Sequence, residues 1–163
     1  MGRLHIALIA PEIPGNTGNI GRLSIGIDAC LHLVHPLGFS TSEKAVRRAG
    51  IDHWKHVQLQ EHADVESFLA WVGERPMACL SARGQQPYTA MPVPEELVLV
   101  FGCESKGLPQ DWVERFGAYR IPSPGPVRSL NLSNAVAVVA YHALSQMEPA
   151  LFAAQDLPGG PSV

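Results

Sequence analysis

Short apolar runs of β-type alternate along this chain with amphipathic stretches of helical period, and that alternation constrains the fold more than any other feature. The runs are "LHIALIA" (4–10), "LHLVHP" (31–36), "HVQLQ" (56–60), "MACLSA" (77–82), "ELVLVFG" (96–102) and "AYRIP" (118–122). The pattern predicts helices over 17–29, 42–49, 63–74 and 109–116, and a long one over 131–147. Strands and helices alternating in this way build an α/β fold, a mostly parallel sheet with helices on both faces. The unbroken "LVLVF" agrees, because a central parallel strand is buried on both sides.

With 163 residues, 46% of them hydrophobic and 17% charged, the chain suits one domain over 1–150 with a core of its own. The end of "EPALFAAQDLPGGPSV" is rich in Pro and Gly, so 151–163 is expected to fray. Apolar runs such as "AVAVVAY" fall far short of the ~20 residues that cross a bilayer. The amino terminus also lacks the basic-then-apolar pattern of an export signal, so a cytoplasmic protein is expected. Cys30, Cys79 and Cys103 are odd in number and widely spaced, which argues against a disulfide framework or a zinc cluster. A net charge of −3 carries no global mark of nucleic-acid binding, so RNA contact would need local basic patches.

Three loops follow predicted strands, where open α/β sheets hold their ligands. In "PEIPGNTGNIGRL" the glycines at 15, 18 and 21 do not meet the dinucleotide spacing G-x-G-x-x-G. Asn16 or Thr17 can cap the helix, with Asn16, Asn19 and Arg22 on one helical edge. Either a simple cap with an exposed arginine or a ligand edge satisfies the pattern. In "FGCESKGLP", Gly102 permits close approach to the backbone, and Glu104 can receive a donor or cation, cap a turn, or pair with Lys106. In "RIPSPGPVRSLNLSNAVAVVAY", Arg128, Ser129, Asn131, Ser133 and Asn134 are more polar groups than one helix cap requires, which suggests a pocket.

The last helix is apolar almost all round, and the first pairs Ile20, Leu23 and Ile27 with small Gly21, Ser24 and Gly26. Both a homodimer built on these helices and a plainly buried core helix fit. His32 and His35 point to opposite faces of a strand and cannot share a metal. His53 and His56 read as surface or core histidines. Lys44, Arg47 and Arg48 form a basic helical face that can meet phosphates or simply be solvated.

Taken together, "PEIPGNTGNIGRL", "LHLVHPLGF", "RRAGIDHW", "LVFGCESKGLP" and "RIPSPGPVRSLNLSNAVAVVAYHAL" resemble, in order and spacing from about 4 to 147, the SPOUT class of S-adenosylmethionine-dependent RNA methyltransferases. Within it the chain looks most like the small tRNA (cytidine/uridine-34) 2'-O-methyltransferases. The resemblance implies a deep carboxyl-terminal trefoil knot, a homodimer, a tRNA substrate and S-adenosyl-L-methionine as methyl donor without a metal. It implies donor binding by Leu80, Gly102, Ile121, Ser129 and Leu130, and catalytic or substrate roles for Asn16, Arg22, Glu104, Ser129 and Asn131. Cys103 stands where relatives usually have proline, and Lys106 where arginine is common. Ribosomal RNA as substrate, a catalytically idle RNA-binding dimer and a nicotinamide oxidoreductase are the rival functions. The last is disfavoured by the glycine spacing.

Overall fold

The computed structural model describes residues 3–42 and 53–153. Its strands are β1 (Leu4–Ile9), β2 (Cys30–Val34), β3 (Leu59–His62), β4 (Met77–Leu80), β5 (Gln86–Pro87), β6 (Leu97–Phe101) and β7 (Tyr119–Arg120). The described helices are α1 (Pro14–Gly26), α2 (Val65–Val72), α3 (Gln110–Phe116) and α4 (Leu132–Met147). The strands form one sheet in the order β3-β2-β1-β6-β4-β7-β5, and every pairing is parallel, as the alternation requires.

The period of two along each strand divides the core between the faces. Leu4, Ile6 and Leu8 of β1, with Leu31, Leu33, Leu97, Leu99 and Phe101, pack beneath Ile20 of the first helix, Ile27 just after its end, and Val136, Val139, Ala140 and Ala143 of the last. Ala7, Ile9, Val34, Val98 and Val100 face the other way, onto Phe68 and Val72 of α2 and Trp112 of α3. Burial on both faces explains the continuous hydrophobicity of "LVLVF".

Several boundaries differ from the sequence expectation for identifiable reasons. The first helix starts at Pro14 rather than at 17, because proline is pre-set for the first helical turn. It closes through bonds from Asp28 N–H to Ile25 O and Ala29 N–H to Ser24 O, with Asp28 at a φ of 52°. Asn16 and Thr17 therefore lie inside the first turn, and neither is the cap. The third strand begins at Leu59 because Trp54–His56 forms a 3-10 turn, with Trp54 laid against α1. A Cβ on Gly21 would lie 2.6 Å from the Trp54 ring, so the bare backbone there accommodates the chain's own tryptophan, not a second helix. The helix expected over 42–49, and with it Lys44, Arg47 and Arg48, lies outside the described residues.

Although the last helix reads as apolar all round, it buries one side only. Val138 and Tyr141 stay exposed, with the Phe152 ring edge-on to Tyr141 at 6.5 Å.

Candidate active site

The carboxyl ends of β1, β6, β4 and β7, neighbours in the sheet, open onto one edge, where their loops wall a cleft of about 660 Å³. That is the size of ordinary small-molecule sites, at the edge where parallel sheets hold ligands. Leu80, Phe101, Ile121, Leu130 and Leu132 supply apolar walls, and Asn16, Ser81, Arg83, Glu104, Arg128, Ser129 and Asn131 supply polar groups. Of the residues singled out in the sequence, Asn16, Leu80, Gly102, Glu104, Ile121, Ser129, Leu130 and Asn131 all line this cleft. Arg22 does not. It lies exposed on α1, about 9 Å further along the helix axis than Asn16.

A hydrogen-bonded line ties the three loops together. The cap residue of α1, Ile13, has no side-chain capping bond, and the Glu104 carboxylate takes that place from another loop. Glu104 Oε2 accepts from Glu12 N–H at 2.7 Å, and Oε1 accepts from Ile13 N–H at 3.0 Å and from Asn16 Nδ2 at 3.3 Å. A negative charge at the positive end of a helix is stabilising in itself. Asn131 Nδ2 then donates to Asn16 Oδ1 at 3.1 Å, while Asn131 Oδ1 caps α4 by accepting from Ser133 N–H at 2.9 Å. The clasp is reciprocal, since Glu12 accepts from Ser105 N–H at 3.2 Å and Ser105 Oγ at 2.7 Å. The bond from the Ser105 hydroxyl leads in holding the Glu12 carboxyl below its ordinary range.

Glu104 is thus a cap, but of a helix 91 residues away in sequence and not of its own turn or of Lys106. Replacing it by Gln should lower stability by about 1–3 kcal/mol, because an NH2 group then faces amide donors that have lost an acceptor. Urea denaturation of Glu104→Gln checks this; an unchanged midpoint would show that the clasp contributes nothing.

The chain itself already requires Gly102 to be bare. A Cβ there would fall 2.0 Å from the Gly107 carbonyl carbon and 2.1 Å from Leu108 N. The turn 103–107 folds directly back onto it, closed by a bond from Gly107 N–H to Cys103 O at 2.9 Å, with Gly107 at a φ of 67°.

Sequence inspection missed Ser81, Arg83 and Tyr119. Arg83 fixes its loop by donating to Gln110 Oε1 at 2.7 Å and to the Leu108 carbonyl. The available signal was "SARG" at the end of a predicted strand, the same position that drew attention to the other loops.

Residues 3–141 match the SpoU rRNA Methylase family. The tRNA (cytidine(34)-2'-O)-methyltransferase of Methylovorus glucosotrophus (strain SIP3-4) is 41% identical over 144 residues, which is 86% of this chain and 94% of that protein. A solved structure described as "Structural insights into the 2-OH methylation of C/U34 on tRNA" is 43% identical with a TM-score of 0.84, covering 91% of this chain and 99% of that one. An AdoMet-bound rRNA methyltransferase from Sinorhizobium meliloti is 27% identical with a TM-score of 0.79, covering 90% of this chain and 57% of that one.

Proposed function

The chain belongs to the SpoU rRNA Methylase family, and from that premise we propose that it transfers a methyl group from S-adenosylmethionine to the ribose 2'-hydroxyl of nucleotide 34, a cytidine or modified uridine, of tRNA. The observation that carries this is the cleft, in which loops far apart in sequence are locked together by Glu104, Asn16 and Asn131. Relatives similar along nearly their whole length are named as 2'-O-methyltransferases of cytidine 34 of tRNA.

The cleft fits the donor. Its volume suits a nucleoside-sized ligand, Leu80, Phe101, Ile121 and Leu130 offer apolar faces to a purine, and its polar groups surround them. When bound, S-adenosylmethionine supplies an electrophilic methyl group on a sulfonium centre. The chain's own part is alignment, worth up to ~7–11 kcal/mol in well-oriented systems. Leu80, Gly102, Ile121, Ser129 and Leu130 hold the donor, and Asn16, kept in place by Glu104 and Asn131, helps orient the acceptor. The transfer asks for no metal.

Arg22 meets the reacting ribose as a donor. A guanidinium has N–H groups and no acceptor, so it stabilises the negative charge growing on the 2'-oxygen or an adjacent phosphate and does not act as a base. Because Arg22 lies outside its own chain's cleft, it works at a surface shared with RNA or with a second copy of the chain. Arg22→Lys keeps the charge but loses the planar fork, and should slow single-turnover methyl transfer roughly 10- to 100-fold. A near-normal rate would remove fork-specific positioning from the proposal.

The homodimer belongs to the same proposal. Exposed Ile25, Val138 and Tyr141 on the outer side of α1 and α4 are the apolar surface a second copy would cover. So does the trefoil knot, supported by β7 lying between β4 and β5 and by the segment joining them pressing on it, since a Cβ on Gly84 would fall 2.5 Å from the Tyr119 carbonyl carbon. Arg128, exposed on the cleft rim, and Lys44, Arg47 and Arg48 are the groups we assign to tRNA phosphates, in a cytoplasmic setting.

Incubation with methyl-labelled S-adenosylmethionine and total tRNA or rRNA, followed by mapping of the label, tests the whole. The expected product is a 2'-O-methyl group at nucleotide 34 of tRNA. Label confined to rRNA or to another tRNA position would overturn the substrate assignment.

A further inference from the structure

On the α2 face, at the edge of the sheet away from the cleft, histidines from three neighbouring strands meet. Register places His5 of β1 opposite Cys30 of β2, and the period of two puts Cys30 and His32 on one face. His5 Nδ1 and His32 Nε2 are 3.0 Å apart, and one ligand-capable atom from each of His5, Cys30 and His32 lies within 4.8 Å of the other two. The ligand atoms of a tetrahedral zinc site with nitrogen and sulfur donors are about 3.3–3.6 Å apart, so closure onto a cation needs the two nitrogens to open by a few tenths of an ångström and the thiol to draw in by at most about an ångström.

We propose that His5, His32 and Cys30 bind a divalent cation of the zinc class, which prefers nitrogen and sulfur ligands, with a water completing a tetrahedron. The nitrogens turned away from the cation are already provided for. His5 Nε2 lies 3.5 Å from Glu96 Oε1, and Glu96 is in turn fixed by Arg75 Nε at 3.1 Å. His32 Nδ1 lies 3.0 Å from His62 Nε2. Metal-bound imidazoles almost always donate their other N–H to such a partner, which sets the tautomer and aims the ring. In the metal-free protein one of the two ligating nitrogens carries the proton of the hydrogen bond between them. On binding, that proton passes to the other nitrogen of its ring, so that His32 donates Nδ1–H to His62 Nε2 and His5 donates Nε2–H towards Glu96, and the neutral imidazoles release none overall. Cys30 gives up its one thiol proton on becoming a thiolate.

The environment accommodates that change. The thiol presently donates to Gln58 O at 3.3 Å, and this carbonyl keeps the Leu31 N–H at 2.8 Å when the thiol turns away. His32 is fully buried, but His5 retains 13% side-chain exposure, and it is from this side that the cation and its water would enter. Since the site joins β1 to β2 far from the methyl-transfer loops, its effect is on stability. The sequence concealed it because two ligands are close on β2 and the third arrives by strand pairing.

Cobalt(II) and zinc(II) titrations of chelator-stripped protein test the proposal. The expected result is one ion per chain, a near-ultraviolet thiolate-to-cobalt band that zinc abolishes, and a higher unfolding temperature with zinc. Cys30→Ser should lose the band, and His5→Gln should weaken zinc at least ~10-fold, since losing even an outer partner of a metal ligand typically costs that much, with methyl transfer unchanged in both. Circular dichroism identifies a variant that has failed to fold, and the unmodified protein's cobalt spectrum then decides alone. Absence of a thiolate band, or zinc affinity unchanged in both folded variants, would overturn the site.

Discussion

Alanine in place of Gly102 should destabilise the protein by about 3–5 kcal/mol and abolish binding of S-adenosylhomocysteine. The added Cβ would lie 2.0, 2.1 and 2.4 Å from Gly107 C, Leu108 N and Gly107 O, all backbone atoms that no rotamer change can move. Relief requires shifting the 103–107 turn, but that turn is anchored at one end by fully buried Leu108 and at the other by the strand β6. Glu104 would move with it, and Glu12, Ile13 and Asn16 would lose their acceptor. Urea denaturation and calorimetry with S-adenosylhomocysteine measure the two effects. A Gly102→Ala protein with an ordinary midpoint would mean that the turn yields easily and that the glycine serves something else.

Acid should weaken the metal-free protein well before its carboxylates are all protonated. His32 sits among His5, His62, Phe68 and Trp71, its ring 4.1 Å from the Trp71 ring, with Arg75 and Glu96 the nearest charged groups of the cluster. Burial first, then His5, His62 and Arg75, push its pKa down from 6.5 to about 3, and burial also lowers His5 and His62. With the folded value below the unfolded one, the unfolded chain binds the extra proton. Stability from the neutral ring is therefore complete above 6.5 and is lost as pH falls towards 3. The full loss from His32 is about 5 kcal/mol, of which about 3 kcal/mol falls between pH 7 and pH 4, a large part of the ~5–15 kcal/mol that holds a typical domain together. Denaturant midpoints between pH 7 and pH 4, taken with a chelator so that only protons compete for the rings, should fall steeply. In His32→Phe the fall should be shallower, and equal slopes would place the acid sensitivity elsewhere.

The candidate site was partly legible because polar groups placed after buried strands had little structural reason to be there. Asn16, Glu104 and Asn131 stood out on that ground, and the structure joins them in one network. Their partners were not legible. Glu104 looked like a local cap or the companion of Lys106, and only the parallel pairing of β1 with β6 brings it to the start of α1. Gly21 and Gly102 both read as places for something to approach, and in both cases the approaching group is the chain itself. A glycine reports that space is needed without saying who fills it.

The three histidines mark the same limit more sharply. Spacing correctly kept His32 and His35 apart, since neighbours along a strand alternate between faces. It could not join His32 to His5 and His62, because which strands are adjacent is a property of the sheet order. By itself, then, the sequence determined the fold class and the edge of the sheet where chemistry gathers, through hydrophobic period and the polarity of loops, which are local quantities. Only the tertiary structure decided which carboxylate caps which helix, why the glycines are bare and which side chains share a face, because each depends on contacts between segments remote along the chain.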